Sequence, residues 1–265
     1  MPYAVNSNDK TKIYYEVHGE GYPLVLIMGL GAAGSVWEPH LNEFINHFKC
    51  IIIDNRGAGK SDIPETAYTT SVMADDVAAV VDALNITEYY TAGISMGSCI
   101  AQKLTLNYPD SVKKLVLISS WSVCDNYTRE LFECMKNMRS ELSPKVYADY
   151  LNVLIYSPEY FNKYSKNPFS DFDDSGYMKL AGFIGQCEAC KNHDAYADLN
   201  KIRIPVLITS GDSDIFTPYK FSVDINNEIK DSVLSKYENS GHVHHFEYIE
   251  RFNREVIDFL KEESV

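Results

Sequence analysis

The apolar positions of this chain fall into short runs separated by stretches with helical periodicity. Runs of strand length occupy residues 24–28, 50–53, 89–94, 115–118 and 206–208, and a further candidate strand lies at 233–237. Most positions within the first five runs are apolar, which is typical of strands buried on both faces. Because these strands alternate with helices, the pattern predicts an α/β fold, with a mostly parallel central sheet and helices on both faces.

Two of the predicted helices carry a single apolar stripe. Between residues 72 and 84 the stripe consists of Met73, Val77, Val80, Val81 and Leu84, and near the C-terminus it consists of Phe252, Val256 and Leu260. A spacing of three or four residues places these side chains on one face of a helix. We therefore expect both helices to pack on the sheet.

The alternation of strands and helices is interrupted between residues 121 and 199. Helical segments rich in tyrosine follow one another there without a convincing central strand, and residues 167–175 favour a turn. We expect a helical cap at 122–200, inserted into a core formed by residues 1–121 and 201–265. Its tyrosines, among them Tyr147, Tyr150, Tyr156, Tyr160 and Tyr164, are interpreted as packing residues.

Composition and charge narrow the class of protein. A chain of 265 residues with 45% hydrophobic content is compatible with one domain and an insertion. It has 24 basic and 37 acidic side chains and a formal net charge of −13, which disfavours binding to nucleic acid or anionic membranes. The sequence has neither a secretory leader pattern nor an apolar segment of about 20 residues. These features predict a cytoplasmic protein with reduced cysteines.

A candidate nucleophile lies in the sequence Gly93-Ile94-Ser95-Met96-Gly97. This pattern follows a predicted strand and precedes a helical pattern that continues to about residue 108, which is the context of a nucleophile elbow. A G-x-S-x-G pattern alone is weak, since a turn with a helix-capping serine has the same sequence. A serine hydroxyl also needs a base, and the base needs an orienting acid, later in the chain.

Candidates for both partners follow in the expected order. Gly211-Asp212-Ser213-Asp214 comes directly after the strand at 206–208, and Gly241-His242 follows the candidate strand at 233–237. The residues alone leave Asp212 open as an alternative acid. They also leave His244 and His245 open as alternative bases.

Taken together, these segments resemble the α/β-hydrolase family, in particular its small esterases and enol-lactonase-like members with a helical cap. The resemblance covers nearly the whole chain and includes residues 14–19 and 54–62 besides the serine and histidine motifs. It implies Ser95 as nucleophile, His242 as base and Asp214, the last residue of its G-x-x-D element, as acid.

The resemblance also implies an oxyanion hole formed by the backbone N–H groups of Leu30 and Met96. Met28 departs from the family pattern, which usually has histidine at that position. Because backbone groups stabilise the oxyanion, the hole can persist. The departure instead raises the question of what holds this loop in place.

Other motifs allow competing interpretations. Residues 29–34 match a dinucleotide fingerprint with Asp54 at the ribose-binding position, but this interpretation leaves Ser95, Asp214 and His242 unexplained. Residues 57–61 resemble a phosphate-binding loop but lack its first glycine, and we interpret them as a tight turn. Cys187, Cys190 and His193 do not complete a tetrahedral metal site. We therefore expect no metal and no organic cofactor.

The sequence thus predicts a serine hydrolase that cleaves a small carboxylic ester or lactone through an acyl-enzyme. The same fold also hosts triad-retaining ligand receptors with slow hydrolysis, carbon–carbon bond hydrolases and acyltransferases, and these remain alternatives.

Overall fold

The computed structural model describes residues 2–163 and 178–262, and these contain one eight-stranded sheet. The strands are β1 (Tyr3–Val5), β2 (Lys12–His18), β3 (Tyr22–Ile27), β4 (Phe48–Ile53), β5 (Tyr89–Ile94), β6 (Val112–Ile118), β7 (Val206–Gly211) and β8 (Ser232–Tyr237). Their order is β1-β2-β4-β3-β5-β6-β7-β8. Strand β2 is antiparallel to both of its neighbours, and β3 to β8 are parallel. The predicted fold class is confirmed.

Ten α-helices are present in the described residues. They are α1 (Glu38–Phe44), α2 (Thr70–Ala83), α3 (Met96–Asn107), α4 (Asn126–Glu141), α5 (Pro144–Ile155), α6 (Pro158–Asn162), α7 (Leu180–Lys191), α8 (Lys220–Glu228), α9 (His244–Glu247) and α10 (Ile249–Lys261). Several begin where the sequence supplies a cap. The side chains of Thr69, Asp125 and Ser143 each accept a hydrogen bond from the backbone N–H three residues further on.

The sheet separates two apolar cores. Strand β3 contributes to both, since Val25 and Ile27 belong to the core beneath α2 and α3, whereas Leu24 and Leu26 belong to the core beneath α1 and α10. Both predicted apolar stripes pack on the sheet in this way. The alternation explains why the strand has no polar face in the sequence.

Helices α4 to α7 form an insertion between β6 and β7. Val123 and Asp194 pair in an isolated antiparallel bridge, which brings the two ends of the insertion together. Helix α4 packs on α7. The predicted turn at 167–175 and Tyr164 lie outside the described residues.

The parallel strands place their carboxyl ends along one edge of the sheet. The loops that follow β5, β7 and β8 carry Ser95, Asp214 and His242, respectively. Because loops at this edge converge, residues far apart in sequence can form one site. In the described part of the chain, no helix is long and apolar enough to cross a membrane.

Candidate active site

Ser95 occupies a strained turn between β5 and α3. Its φ of 54° lies in the left-handed region, which costs a non-glycine residue about 1–3 kcal/mol. The flanking glycines permit this turn, because a Cβ at Gly93 would collide with the carbonyl oxygen of Gly97, and one at Gly97 would collide with that of Ile27. The backbone N–H of Ser95 donates to the carbonyl oxygen of Ile118 at 2.8 Å. The turn is thereby fixed to the neighbouring strand.

Asp214 and His242 form a buried pair, with 2.8 Å between Asp214 Oδ2 and His242 Nδ1. The carboxylate is further held by the backbone N–H groups of Phe216 and Thr217, which donate to Oδ1 at 2.7 and 2.9 Å. The Thr217 hydroxyl donates to Oδ2 at 2.7 Å. An ionised carboxylate accepts such bonds on both oxygens, so its orientation toward the imidazole is fixed.

Asp212, the alternative acid, is exposed and lies apart from this pair. Its Oδ1 accepts hydrogen bonds from the Asn239 backbone N–H at 2.8 Å and from the Ser213 hydroxyl at 3.2 Å. These contacts stabilise the loop after β7. The structure therefore brings Asp214, and not Asp212, to His242.

The two alternative bases, His244 and His245, form hydrogen bonds with groups other than Asp214. His244 is fully buried, with Nε2 2.9 Å from the Thr209 hydroxyl, and burial lowers its pKa to about 3. His245 is fully buried as well, and its Nδ1 lies 3.2 Å from Nε2 of His40. Burial holds the pKa of His245 well below its ordinary value. Of the three neighbouring histidines, only His242 contacts Asp214 through its side chain.

The backbone amides of Leu30 and Met96 are available for an oxyanion. Neither donates to a protein acceptor within residues 2–163 and 178–262. The loop that carries Leu30 passes directly beside the turn at Ser95, since a Cβ added at Gly29 would lie 3.3 Å from Ser95 Cβ. Met96 follows Ser95 at the start of α3, where helix N–H groups are unpaired.

Side chains from distant segments hold the loop in which Met28 replaces the family histidine. Asn55 Nδ2 donates to the Met28 carbonyl oxygen at 2.8 Å, and the Gly34 N–H donates to Asp54 Oδ1 at 2.7 Å. Gln186 Oε1 accepts from the Gly31 N–H at 2.9 Å. The loop that carries Leu30 is thus fixed without a histidine.

Gln186 is a site residue that the sequence analysis missed. It is fully buried on α7, and its Nε2 donates to the Arg56 carbonyl oxygen at 2.9 Å. It therefore ties the Leu30 loop to the turn after β4. The signal in the sequence was a polar residue within the otherwise mostly apolar stretch 180–187.

A mainly apolar cavity of about 300 Å³ lies over Ser95 and His242. Helices α4, α5 and α7 supply its outer wall, with the side chains of Phe132, Met135, Tyr147, Leu151 and Phe183. Leu30, Phe216 and His245 belong to the wall on the side of the sheet. The cavity can hold an apolar ligand of modest size against the serine.

The side chains on which the competing dinucleotide and metal interpretations depend are hydrogen-bonded within the protein. Both carboxylate oxygens of Asp54 accept backbone N–H groups, from Gly34 at 2.7 Å and from Lys60 at 2.8 Å. His193 is hydrogen-bonded to the Thr70 hydroxyl and to the side chain of Gln102. Asp54 is thus a loop-bracing residue and His193 a core residue.

Comparison with known proteins identifies the family to which this fold belongs. Residues 22–248 match the family model for the alpha/beta hydrolase fold. The chain belongs to the α/β-hydrolase fold family. Among relatives of this hydrolase, a protein named "Putative carbamate hydrolase RutD" from Serratia proteamaculans is 27% identical over 260 residues, covering 94% of this chain and 96% of the relative.

Solved structures of α/β-hydrolases superpose over almost the entire chain. An esterase from Exiguobacterium antarcticum has a TM-score of 0.85 and 26% identity, covering 99% of this chain and 100% of the esterase. The enol-lactonase from Burkholderia xenovorans has a TM-score of 0.86 and 22% identity, covering 98% and 100%. At that identity the enol-lactonase supports the fold alone.

Proposed function

We propose that this α/β-hydrolase cleaves a carboxylic ester or lactone through an acyl-enzyme formed on Ser95. The observation that carries the proposal is the 2.8 Å contact between His242 Nδ1 and Asp214 Oδ2, in a histidine that lines the same cavity as Ser95. A carboxylate on Nδ1 keeps the proton there, which leaves Nε2 free to accept one.

In the proposed reaction, Ser95 Oγ attacks the substrate carbonyl while His242 Nε2 takes the hydroxyl proton. The negative charge that develops on the carbonyl oxygen is stabilised by the Leu30 and Met96 amides. Collapse of the tetrahedral intermediate breaks the bond to the alkoxide, which receives the proton from His242. Water then attacks the acyl-enzyme with His242 as base, which releases the acid and restores Ser95.

We further propose that the segment 122–200 acts as a cap that selects substrates and excludes water. Helices α4, α5 and α7 already provide most of the apolar outer wall above Ser95. A well-fitted apolar pocket discriminates by about 1–3 kcal/mol per methylene group. The cap is therefore expected to set the size of the acyl or alcohol group.

Carbamates form a second candidate class of substrate. The relative from Serratia proteamaculans carries a carbamate hydrolase name and aligns over 94% of this chain. A carbamate presents a carbonyl that the same serine and amides can engage, and it would give a carbamoyl-enzyme. A substrate panel should therefore contain carbamates beside esters and lactones.

The proposal predicts covalent labelling of Ser95 by a fluorophosphonate. Labelling should abolish hydrolysis of p-nitrophenyl acetate, and mass spectrometry of peptides should locate one adduct on Ser95. The Ser95→Ala variant should be neither labelled nor active. Ser213→Ala is the matched control, because Ser213 is an exposed serine in the loop that carries Asp214.

Two results would contradict this proposal. One is an adduct on another serine, with activity retained in Ser95→Ala. The other is labelling of Ser95 without turnover of any ester, lactone or carbamate, which would favour a ligand receptor.

A further inference from the structure

His245 presents an unpaired polar atom beside the substrate cavity. The residue is fully buried and lines the cavity, whereas His40, the partner of its Nδ1, does not. Its Nε2 has no hydrogen-bond partner among the described residues. A buried polar atom without a partner is costly, and its place in a ligand cavity suggests that a ligand supplies the partner.

The hydrogen bonds behind His245 determine which nitrogen carries the proton. Asn253 Oδ1 lies 2.6 Å from His40 Nδ1, so this nitrogen must donate. Burial lowers the pKa of His40 to about 4, and a neutral imidazole has one N–H. Nε2 of His40 is therefore an acceptor. His245 Nδ1, 3.2 Å away, must donate to it.

This assignment makes Nε2 of His245 a bare acceptor. Burial lowers the pKa of His245 well below its ordinary value, so its ring also carries one proton, on Nδ1. The lone pair of Nε2 is then without a partner in the buried wall of a mainly apolar cavity. A donor that reaches the cavity wall, an O–H or an N–H, can satisfy it without breaking the bond to His40.

We propose that His245 Nε2 accepts a hydrogen bond from a hydroxyl or amide N–H of the substrate, and that it selects substrates bearing such a donor. This inference rests on the proposed hydrolysis at Ser95 and specifies its substrate class. The preferred ester, lactone or carbamate carries one donor in a part that is otherwise apolar. Substrates with a methyl group at that position leave the acceptor unpaired and react more slowly.

The protonation pattern can be tested without any substrate. Nitrogen-15 spectra of histidine-labelled protein distinguish bare from protonated ring nitrogens. At pH 7, His245 should show a protonated Nδ1 and a bare Nε2, assigned by loss of its signals in His245→Asn. A protonated Nε2 would overturn the acceptor role.

The selectivity can be tested with matched p-nitrophenyl esters. One series compares ω-hydroxyacyl chains with chains ending in methyl, and another compares N-acylamino groups with their CH₂ analogues, over several chain lengths. At the best length, we expect the donor-bearing ester of at least one series to have a kcat/KM about tenfold higher or more. The series with the larger ratio identifies the donor as O–H or N–H.

Two substitutions separate Nε2 from the rest of the ring. Asparagine at position 245 can keep a donor near the position of Nδ1 but has no atom at Nε2, whereas glutamine can reach Nε2. The selectivity ratio should fall to about 1 in His245→Asn and be partly retained in His245→Gln. Thermal unfolding of each variant checks that it is folded.

The outcomes distinguish this inference from the proposed function. If wild-type Ser95 reacts with the fluorophosphonate but no donor-bearing ester is preferred at any length, His245 has no such role. The same conclusion follows if a folded His245→Asn variant keeps the wild-type ratio. Failure of Ser95 to react would instead contradict the hydrolase mechanism.

Discussion

Two carboxylates separated by one residue have quite different surroundings in this protein. Asp214 is 5% exposed and accepts three hydrogen bonds from its own loop in addition to its contact with His242. Asp212 is exposed and contacts the Asn239 backbone. The difference arises because the chain turns inward after Asp212. Only the second carboxylate can orient a histidine in the cavity.

This difference predicts unequal effects of two matched substitutions. Asp214→Asn should lower kcat by roughly three to four powers of ten, because an amide no longer stabilises the correct tautomer and the imidazolium. Asp212→Asn should change kcat by less than about fivefold. Steady-state hydrolysis of p-nitrophenyl acetate by both variants measures the contrast. An equal or reversed order would show that Asp214 is not the orienting acid.

At the scale of elements, α7 is fixed to the core by backbone contact. A Cβ at Gly182 would collide with the carbonyl oxygen of Gly57, so the helix and the turn after β4 touch without side chains between them. One turn further along the helix, Gln186 bonds to Gly31 and Arg56. This part of the insertion thus supports the Leu30 loop and also forms part of the cavity wall.

We predict that Gln186→Leu impairs the chemical step more than substrate binding. Leucine keeps the volume but leaves the Gly31 N–H without its acceptor, so the loop that positions the Leu30 amide loosens. We expect kcat to fall roughly 10- to 100-fold with a smaller change in KM. Glu188→Gln, which alters a partly exposed side chain on the same helix, is the control. A folded Gln186→Leu enzyme with wild-type kcat would contradict the supporting role.

The sequence was informative where the deciding interactions are local. Ser95 with its glycines was predicted from a short motif between a strand and a helix. Positions after later strands left two acids and three histidines open, and the family resemblance selected Asp214 and His242. The support of the Leu30 loop was not predictable, because it depends on Asn55 and on Gln186, more than 150 residues away. Such contacts exist only once the insertion has packed on the core.

At the scale of the whole molecule, the central strands were predictable because both of their faces are buried. Strands β1 and β2 were missed, since β1 has three residues with only Ala4 buried and β2 has only Ile13 buried. Edge strands lack the continuous apolar pattern, because one side of them meets water. Some predicted strands were shorter than the observed strands for a similar reason. Val112 begins β6, but the lysines that follow it interrupt the apolar run.

The whole molecule also buries four histidines that are neutral in the folded state, which predicts acid sensitivity. Burial lowers the pKa of His40 to about 4 and of His193 and His244 to about 3, and it lowers that of His245 strongly. In the unfolded chain these rings bind protons near pH 6.5. The stability that the folded protein gains from keeping these rings neutral is therefore fully present above about pH 7. It is lost progressively as the pH falls below the pKa of the unfolded chain.

Between pH 8 and pH 5.5, each buried histidine should reduce the free energy of unfolding by roughly 1 kcal/mol. Urea unfolding at the two pH values measures the total, expected to be roughly 4 kcal/mol, in a range above the usual titration of carboxylates. In His193→Asn the loss should be smaller by about one quarter, whatever the stability of that variant at pH 8. His47→Asn is the control, because water solvates the exposed His47 ring in the folded and unfolded chains alike. Equal stability at pH 8 and 5.5 would mean that the folded protein protonates these rings as readily as the unfolded chain does.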